Sequence, residues 1–438
     1  MKPLKYLSFD ALIKYISGKF NAIKDRRDKE LVKYELGDVL MAGLAMMFFQ
    51  HPSLLSYQEK MKKKRGQSNL ERLFLTRSVP SDTQMREILD GVEIKELSKL
   101  LKEIFELMRR AAIVQRFTSY LGTYLIELDA TEYFSSNKIE CPNCLHRTDA
   151  LGRVRYLHQV IPATLVKAGT HQILPLGVEE IINSDGQEKQ DCEVNAAKRL
   201  IARLRTEHPK LKMTIGGDGI YSHEPMIMEL RHYRFDFILV AKPGDHKEMF
   251  AELQQMEKTG WVKTGFWEER KQSKRYVTRY RMANQVTLTA SHECYVNFLE
   301  IWQEDKVTSE LVYHNSWVTD YELTHNNVQE LAAMGRARWK IENEAFNVHK
   351  NGGYEIEHNY GHGKETLSMV FYMLNFLAFT LHQILEMTDS LYLQAKKLAG
   401  GLRYVWEKLR LLMDMWPLST WVRMLEISMQ EEPVFDST

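Results

Sequence analysis

The chain has 438 residues, of which 44% are hydrophobic and 11% aromatic, so it can bury a substantial core and is not a disordered protein. Its 59 basic and 58 acidic residues leave a net charge of +1, so any contact with nucleic acid must come from local basic patches. Four cysteines are too few for a disulfide scaffold in a chain of this length.

Residues 1–115 have the pattern of a helical region. Residues 33–50 are apolar on every side and predict a helix buried inside a bundle. Pro80 followed by Ser81 or Asp82 predicts a helix start with a side-chain cap. The five basic residues within 60–65 either form a solvated helix end or contact DNA phosphates.

From about residue 120 the apolar runs become short and alternate with helical or polar stretches, which is typical of an α/β domain. The predicted strands are 124–129, 155–166, 171–179, 213–218 and 235–241, and a predicted helix, 191–206, precedes the fourth strand. Between about 243 and 326 the pattern predicts a β-rich insertion, with strands within 261–282, 295–302 and 312–318.

Basic residues interleave with tyrosines in this insertion. Lys274, Arg275 and Arg279 alternate with Tyr276 and Tyr280. This mixture is typical of a DNA-backbone surface with stacking partners, and it also fits an exposed polar strand face.

Two further stretches bear on membrane targeting. Residues 1–20 are broken up by Lys and Asp, which is not the pattern of a signal peptide. The most apolar run, 367–385, contains Asn375, His382 and Gln383, whereas a membrane span needs about 20 mainly apolar residues. We therefore predict a buried helix in this run and an intracellular protein that does not contact a membrane.

Three carboxylates stand out by their positions. Asp129 and Asp218 each end an apolar run, and open α/β sheets build their sites at such strand ends. Glu342 lies in a predicted helix, 335–350, four residues after Arg338, so these two side chains share a face. Alone, the Arg338–Glu342 pair could be an ordinary solvated ion pair. Together, the three carboxylates form the pattern of enzymes that hold two divalent ions for phosphoryl transfer.

These residues resemble the catalytic triad of bacterial insertion-sequence transposases of the DDE type, in the group marked by a Tyr-Arg-Glu-Lys signature. Arg338 and Glu342 fit the signature, and Gly335 stands at its Tyr position. His349 stands at its Lys position, with Lys350 next to it. The resemblance covers roughly residues 80–379, including the stretch after Lys350.

The resemblance implies a fold and a domain organisation. Residues 116–352 would form an RNase H-like catalytic domain with a mixed sheet, interrupted by the β-rich insertion at about 243–326. Residues 1–115 would be a helical DNA-binding region, and residues 353–438 a second helical region.

It also implies an activity, cleavage and joining of DNA at insertion-sequence ends. Asp129, Asp218 and Glu342 would be the catalytic residues and would hold two Mg²⁺ or Mn²⁺ ions. Arg338, Lys242 and one of His349 and Lys350 would contact DNA. The partners would be the element's terminal repeats and target DNA, bound by a homodimer in the bacterial cytoplasm, in association with the nucleoid.

Two other function classes remain open beside this one. The first is an RNase H-like nuclease that cuts nucleic acid without joining strands, and strand-transfer products would separate it from a transposase. The second is an inactive DNA-binding derivative of a transposase, which would bind no divalent metal at the three carboxylates.

Cys141 and Cys144 form a CxxC pair, followed by His146. One such pair is half of a structural zinc site, which needs four nitrogen or sulfur ligands. His146, His158 and Cys192 are possible further ligands, and no spacing singles one out. An inert reduced pair, a zinc site and a redox pair therefore remain open, and the sequence favours the first.

Overall fold

The computed structural model describes residues 6–28, 30, 32–183, 192–289 and 293–430. Parallel and antiparallel strands form one large sheet, and helices precede, connect and follow its strands. The chain is therefore a mixed α/β protein, as its sequence predicts.

Helices occupy most of the chain before the sheet. They are α1 (Phe9–Asn21), α2 (Leu36–Phe48), α3 (Leu54–Met61), α4 (Lys64–Phe74), α5 (Asp82–Leu89) and α6 (Ile94–Arg110). Every residue of α2 except Asp38 is buried, which confirms the prediction of a helix inside a bundle. Ser81 caps α5 and forms a capping box with Gln84, which confirms the predicted helix start.

The described residues form an eleven-stranded sheet. Its strands are β1 (Tyr124–Leu128), β2 (Thr131–Ser136), β3 (Leu145–Thr148), β4 (Val154–Val166), β5 (Leu174–Ile181), β6 (Met213–Gly217), β7 (Asp236–Val240), β8 (Lys263–Lys271), β9 (Lys274–Thr287), β10 (Tyr295–Asp305) and β11 (Leu311–Thr319). Their order is β2-β4-β1-β6-β7-β11-β10-β9-β8, and β3 and β5 also pair with β4. All five strands predicted between residues 124 and 241 are confirmed.

The centre of the sheet changes direction at β1. This strand is antiparallel to β4 and parallel to β6, which is in turn parallel to β7. Both β1 and β2 pair with one edge of β4, so they form one long strand interrupted at residues 129 and 130. The sequence did not predict β2 or β3, in which the share of polar residues is larger than in β1 and β4.

Helices α7 (Glu193–Glu207), α8 (Glu224–His232) and α9 (Lys247–Lys258) connect strands of the sheet. The predicted helix 191–206 corresponds to α7, and its predicted first residue, Asp191, lies outside the described residues. Strands β8 to β11 confirm the β-rich character of residues 243–326. Because β11 pairs antiparallel with β7, these strands extend the central sheet.

The segment around Glu342 is helical but not continuous. It consists of α10 (Val328–Arg336), a turn at residues 337 and 338, a π-helical turn (Ile341–Phe346) and α11 (Asn347–Asn351). The predicted helix over 335–350 is confirmed from residue 339 onward, and the turn at residues 337 and 338 interrupts it near its start. The break follows Gly335, which packs so closely on Trp317 that a Cβ atom there would lie 2.5 Å from Cε2 of the indole. Gly352 and Gly353 end the segment.

The carboxyl-terminal helices are α12 (Leu367–Thr388), α13 (Ser390–Leu398), α14 (Leu402–Met415) and α15 (Trp421–Ser428). Helix α12 packs on α2, α6 and β5. Among the described residues, α12 alone is long and apolar enough to cross a membrane by length and composition, and 89% of its most apolar stretch is buried inside the fold. This confirms the buried helix predicted for residues 367–385.

Candidate functional site

The two aspartates lie side by side at one edge of the sheet. In the parallel pair β1–β6, Leu128 is in register with Gly217, so Asp129 and Asp218 are the next residues on neighbouring strands. Such strands lie about 4.8 Å apart. The side chain of Asp218 also accepts a hydrogen bond from the backbone N–H of Gly219.

Arg338 joins the helical glutamate to this strand edge. Its Nη1 atom lies 2.8 Å from Oε1 of Glu342 and 3.5 Å from Oδ2 of Asp129. On the other side of the site, Nζ of Lys242 lies 3.9 Å from Oδ1 of Asp218. The structure therefore brings together the three predicted carboxylates and two of the predicted basic residues.

The electrostatic environment of Asp129 is unusual for an aspartate. Its pKa is raised to about 7, and burial is the largest cause. Arg338 opposes this rise, whereas the nearby carboxylates of Glu193, Glu342 and Asp218 contribute to it. A divalent cation would remove this repulsion, which is the electrostatic signature of a cation-binding carboxylate site.

Two residues near Asp129 were missed by the sequence predictions. Glu193 lies in the first turn of α7 and adds a fourth carboxylate to the site. Tyr221 donates a hydrogen bond of 2.6 Å from its hydroxyl to Glu193 Oε1. An acid in the first turn of a helix usually complements the helix dipole, so nothing in the sequence singles out Glu193.

Glu127 was also missed. It is fully buried on β1, two residues before Asp129, and neither of its carboxylate oxygens has a hydrogen-bond partner among the described residues. Burial raises its pKa to about 8. Its register partner on β6 is Gly216, where a Cβ atom would overlap Oε1 of Glu127. A glutamate inside an apolar strand is visible in the sequence and could have been singled out by that contrast.

The carboxylates fit oxygen-seeking divalent ions by their chemistry. Carboxylate oxygens are the ligands that Mg²⁺ prefers. Among the described residues, the cysteine–histidine group below is the one set of three or more possible ligands whose atoms all lie within 4.8 Å of one another. The three carboxylates therefore lie farther apart than the ligands of a single ion would, and Arg338 lies between Asp129 and Glu342.

The two candidates for the signature's Lys position behave differently. Lys350 is half-buried and forms an ion pair of 2.6 Å with Glu357. His349 is buried and packs on Tyr354 and Phe379. The prediction that His349 contacts DNA was therefore wrong, because α11 lays this side chain against the apolar surface of α12.

The basic residues of the insertion lie on the hairpin β8–β9. Lys274 and Arg275 are exposed at its turn. Arg279 is exposed and forms an ion pair with Glu304. Tyr276 is half-buried, but Tyr280 is buried and its hydroxyl hydrogen-bonds to His325, so Tyr280 is not available as a stacking partner.

The CxxC pair meets two histidines, His158 and His362. His146 is exposed on β3 and is not part of this cluster, so its prediction as a ligand was wrong. Successive residues of a strand point to opposite faces of the sheet. Leu145 is buried on one face, so the next residue, His146, points away from it. Cys192 is exposed at the start of α7 and also lies outside the cluster. His362 follows Cys144 by more than two hundred residues, so no local spacing could have found it.

No protein-family model matches the chain, and a search of curated proteins finds no match to it. Inference about its activity therefore rests on the arrangement of its own residues.

Proposed function

We propose that this protein is a DDE-type DNA transposase that cuts and joins DNA at insertion-sequence ends. One observation carries the proposal. Asp129 and Asp218 follow register-paired parallel strands, and Arg338 contacts both Asp129 and Glu342. These three residues are far apart in the sequence and of the types that two-metal phosphoryl transfer requires.

The architecture supports an RNase H-like assignment of the catalytic domain. Strands β1, β4 and β5 come first, followed by α7, β6, α8 and β7. Three strands, a helix, a strand, a helix and a strand form the chain order of that fold. The fold carries its first aspartate on the first strand, its second after the fourth strand and its glutamate on a later helix. Asp129, Asp218 and Glu342 match those positions once β2 and β3 are set aside.

The proposed chemistry assigns a role to each side chain. Asp129, Asp218 and Glu342 would hold Mg²⁺ or Mn²⁺ through their carboxylate oxygens. When bound, such ions lower the pKa of an attacking water and stabilise the leaving oxygen of a phosphodiester. Arg338 fixes the position of Glu342, and its planar guanidinium can also take up a phosphate oxygen. Lys242, beside Asp218, adds a positive charge where DNA phosphate would approach.

The test is a cleavage and joining assay on linear DNA that carries the repeats flanking the protein's own gene, with Mg²⁺ or Mn²⁺. We expect cleavage at the repeat end and strand transfer into target DNA. Asp129→Asn, Asp218→Asn and Glu342→Gln should each lose both activities. Glu330→Gln, which changes an exposed carboxylate on the preceding helix, is the matched control and should keep them.

Two outcomes would replace the proposal. Cleavage without joined products would make the protein an RNase H-like nuclease. Repeat-specific DNA binding with no cleavage in either metal would make it a DNA-binding derivative of a transposase.

A further inference from the structure

A cluster of two cysteines and two histidines lies apart from the carboxylate site, and the proposed function makes no use of it. Its members share a single small volume, and they are Cys141, Cys144, His158 and His362. All are buried except Cys141, which is half-buried. We propose that these four side chains form a structural Zn²⁺ site.

The distances inside the cluster match a tetrahedron around one zinc ion. Bond lengths of about 2.3 Å to sulfur and about 2.05 Å to nitrogen give edges of about 3.8 Å between sulfurs, 3.6 Å between sulfur and nitrogen and 3.3 Å between nitrogens. The two Sγ atoms are 3.7 Å apart, and the two Nε2 atoms are 3.2 Å apart. Three sulfur–nitrogen distances are 3.5, 3.5 and 3.4 Å.

The second nitrogen of each imidazole ring, Nδ1, lies near an oxygen atom. Nδ1 of His158 lies 3.4 Å from Oε1 of Glu180, and Nδ1 of His362 lies 3.2 Å from the carbonyl oxygen of Gly363. Metal-binding histidines are commonly oriented by such a partner. A neutral ring has one proton, and these acceptors favour it on Nδ1. The two Nε2 atoms would then face each other with lone pairs, and a cation between them removes that conflict.

The two other roles open to the cysteines explain less. A disulfide needs sulfurs about 2.05 Å apart, whereas the Sγ atoms of Cys141 and Cys144 are 3.7 Å apart. An inert reduced pair would give no reason for two buried histidines from distant parts of the chain to turn their Nε2 atoms toward the same sulfurs.

The proposed zinc site joins three segments of the fold. Cys141 and Cys144 belong to the connection between β2 and β3, and His158 lies on β4. His362 belongs to the connection between α11 and α12, which follows the segment that carries Glu342. One ion would thus tie the strand that continues from Asp129 to the chain that follows Glu342. This contribution is structural and does not depend on the proposed transposase activity.

The first measurement is the zinc content of the full-length protein, purified without a histidine tag and without chelator. We expect one equivalent of zinc in the wild type, and its loss in His362→Ala and in Cys144→Ser. His146→Ala and Cys192→Ser are the matched controls, since they change the same residue types outside the cluster, and both should retain zinc. Asp129→Asn should also retain it, which separates this site from the carboxylates.

A second measurement keeps the proposal testable if the ligand variants fail to fold. Wild-type protein produced in cobalt-supplemented medium should show the visible bands of tetrahedral Co²⁺ together with a thiolate-to-metal charge-transfer band. Chelation should lower the unfolding temperature of the wild type by several degrees. Wild-type protein without zinc, and without these bands when grown on cobalt, would overturn the proposal. So would zinc that persists in a folded His362→Ala protein.

Discussion

Asp129 is the residue whose charge state controls the candidate site. Its pKa is raised to about 7, chiefly by burial, so near neutral pH it carries a proton part of the time. A divalent cation must displace that proton before it can bind. We therefore predict that Mn²⁺ affinity falls about tenfold for each pH unit below about 7, and levels off above it. Titration calorimetry between about pH 5.5 and 8.5 measures this dependence.

The control for this prediction is Asp129→Asn, which removes the titrating group. Its residual Mn²⁺ binding should be weak and much less dependent on pH. A wild-type affinity that stays constant across the same interval would show that Asp129 is not a ligand of the ion.

Burial also raises the pKa of Glu127, which is not a proposed metal ligand. Because its pKa is raised from 4.5 to about 8, the folded state holds its proton more tightly than the unfolded state does. Stability is then lost as pH rises between these two values, by up to about 1.4 kcal/mol for each pH unit. Glu127→Gln introduces a neutral side chain of the same shape, so the stability of this variant should not fall over the same pH range. Urea unfolding at several pH values should show that the stability of the variant relative to the wild type rises from about pH 5 to 8 and stays constant above pH 8.

A parallel series with Glu330→Gln tests whether the effect belongs to burial, because Glu330 is exposed. If the wild type and Glu127→Gln showed the same pH dependence, Glu127 would titrate normally in the folded protein.

The sequence identified residues of the site where their chemistry contrasted with their surroundings. Asp129 and Asp218 could be predicted because each ends an apolar strand, and Glu342 because Arg338 lies one turn before it. His349 could not be placed, because an imidazole serves a buried face and a DNA surface equally well. The π-helical turn that contains Glu342 was also invisible in the sequence.

At the scale of elements, the pairing of β1 with β6 depends on a glycine. Gly216 faces Glu127 so closely that a Cβ atom would overlap the carboxylate. We predict that Gly216→Ala destabilises the protein by about 1–3 kcal/mol, the usual cost of overpacking a core. In the background of Glu127→Ala, which vacates that space, the same substitution should cost much less. Chemical denaturation of the four proteins gives the coupling energy.

Additive effects in this double-mutant cycle would contradict the prediction, since they would mean that the two side chains do not share this space. Gly217→Ala offers a comparison at the next position, where the Cβ atom would instead meet the ring of Tyr221 at 2.6 Å. The destabilisation caused by Gly217→Ala should be the same with and without Glu127→Ala.

The elements that could be predicted are those with strong apolar runs. Strands β1, β4, β6 and β7 are largely buried, and continuous hydrophobic runs marked them. Strands β2 and β3 are short and rich in polar residues, and the CxxC turn lies between them, so the pattern of this stretch is that of a loop. Gly335, near the end of α10, packs on Trp317 of a distant strand, a contact that no local pattern contains.

At the scale of the whole molecule, the net charge is +1, so the proposed DNA binding would have to use basic groups that the fold leaves exposed. Lys274 and Arg275 are exposed at the tip of the β8–β9 hairpin, whereas Arg279 is paired with Glu304. We predict that replacing Lys274 and Arg275 by Ala weakens DNA binding and reduces the slope of log Kd against log salt. The slope should fall by about 0.9 for each DNA phosphate that the variant no longer neutralises. Fluorescence anisotropy with a labelled duplex measures both quantities.

Arg279→Ala is the matched single substitution and should change the slope less, because its guanidinium is already neutralised by Glu304. An unchanged slope of log Kd against log salt in the double variant would show that the β8–β9 hairpin does not contact DNA.

The packing of distant parts of the chain was the hardest feature to predict. Helix α2 packs on α12, where Gly43 approaches Leu374 so closely that a Cβ atom would lie 2.8 Å from its Cδ1. His362 reaches Cys144 in the same way, through folding of the whole chain. A single sequence contains the apolar faces and the ligand types, but not the register in which these distant segments meet.

The central claim is that Asp129, Asp218 and Glu342 form one site for two divalent ions. Titration calorimetry of Mn²⁺ into zinc-loaded wild type, Asp218→Asn and Glu330→Gln, each with and without repeat-end DNA, tests it most directly. We predict two bound Mn²⁺ ions per chain in the wild type and in Glu330→Gln, and loss of at least one ion in Asp218→Asn. Equal Mn²⁺ binding by all three proteins in the presence of DNA would contradict the claim.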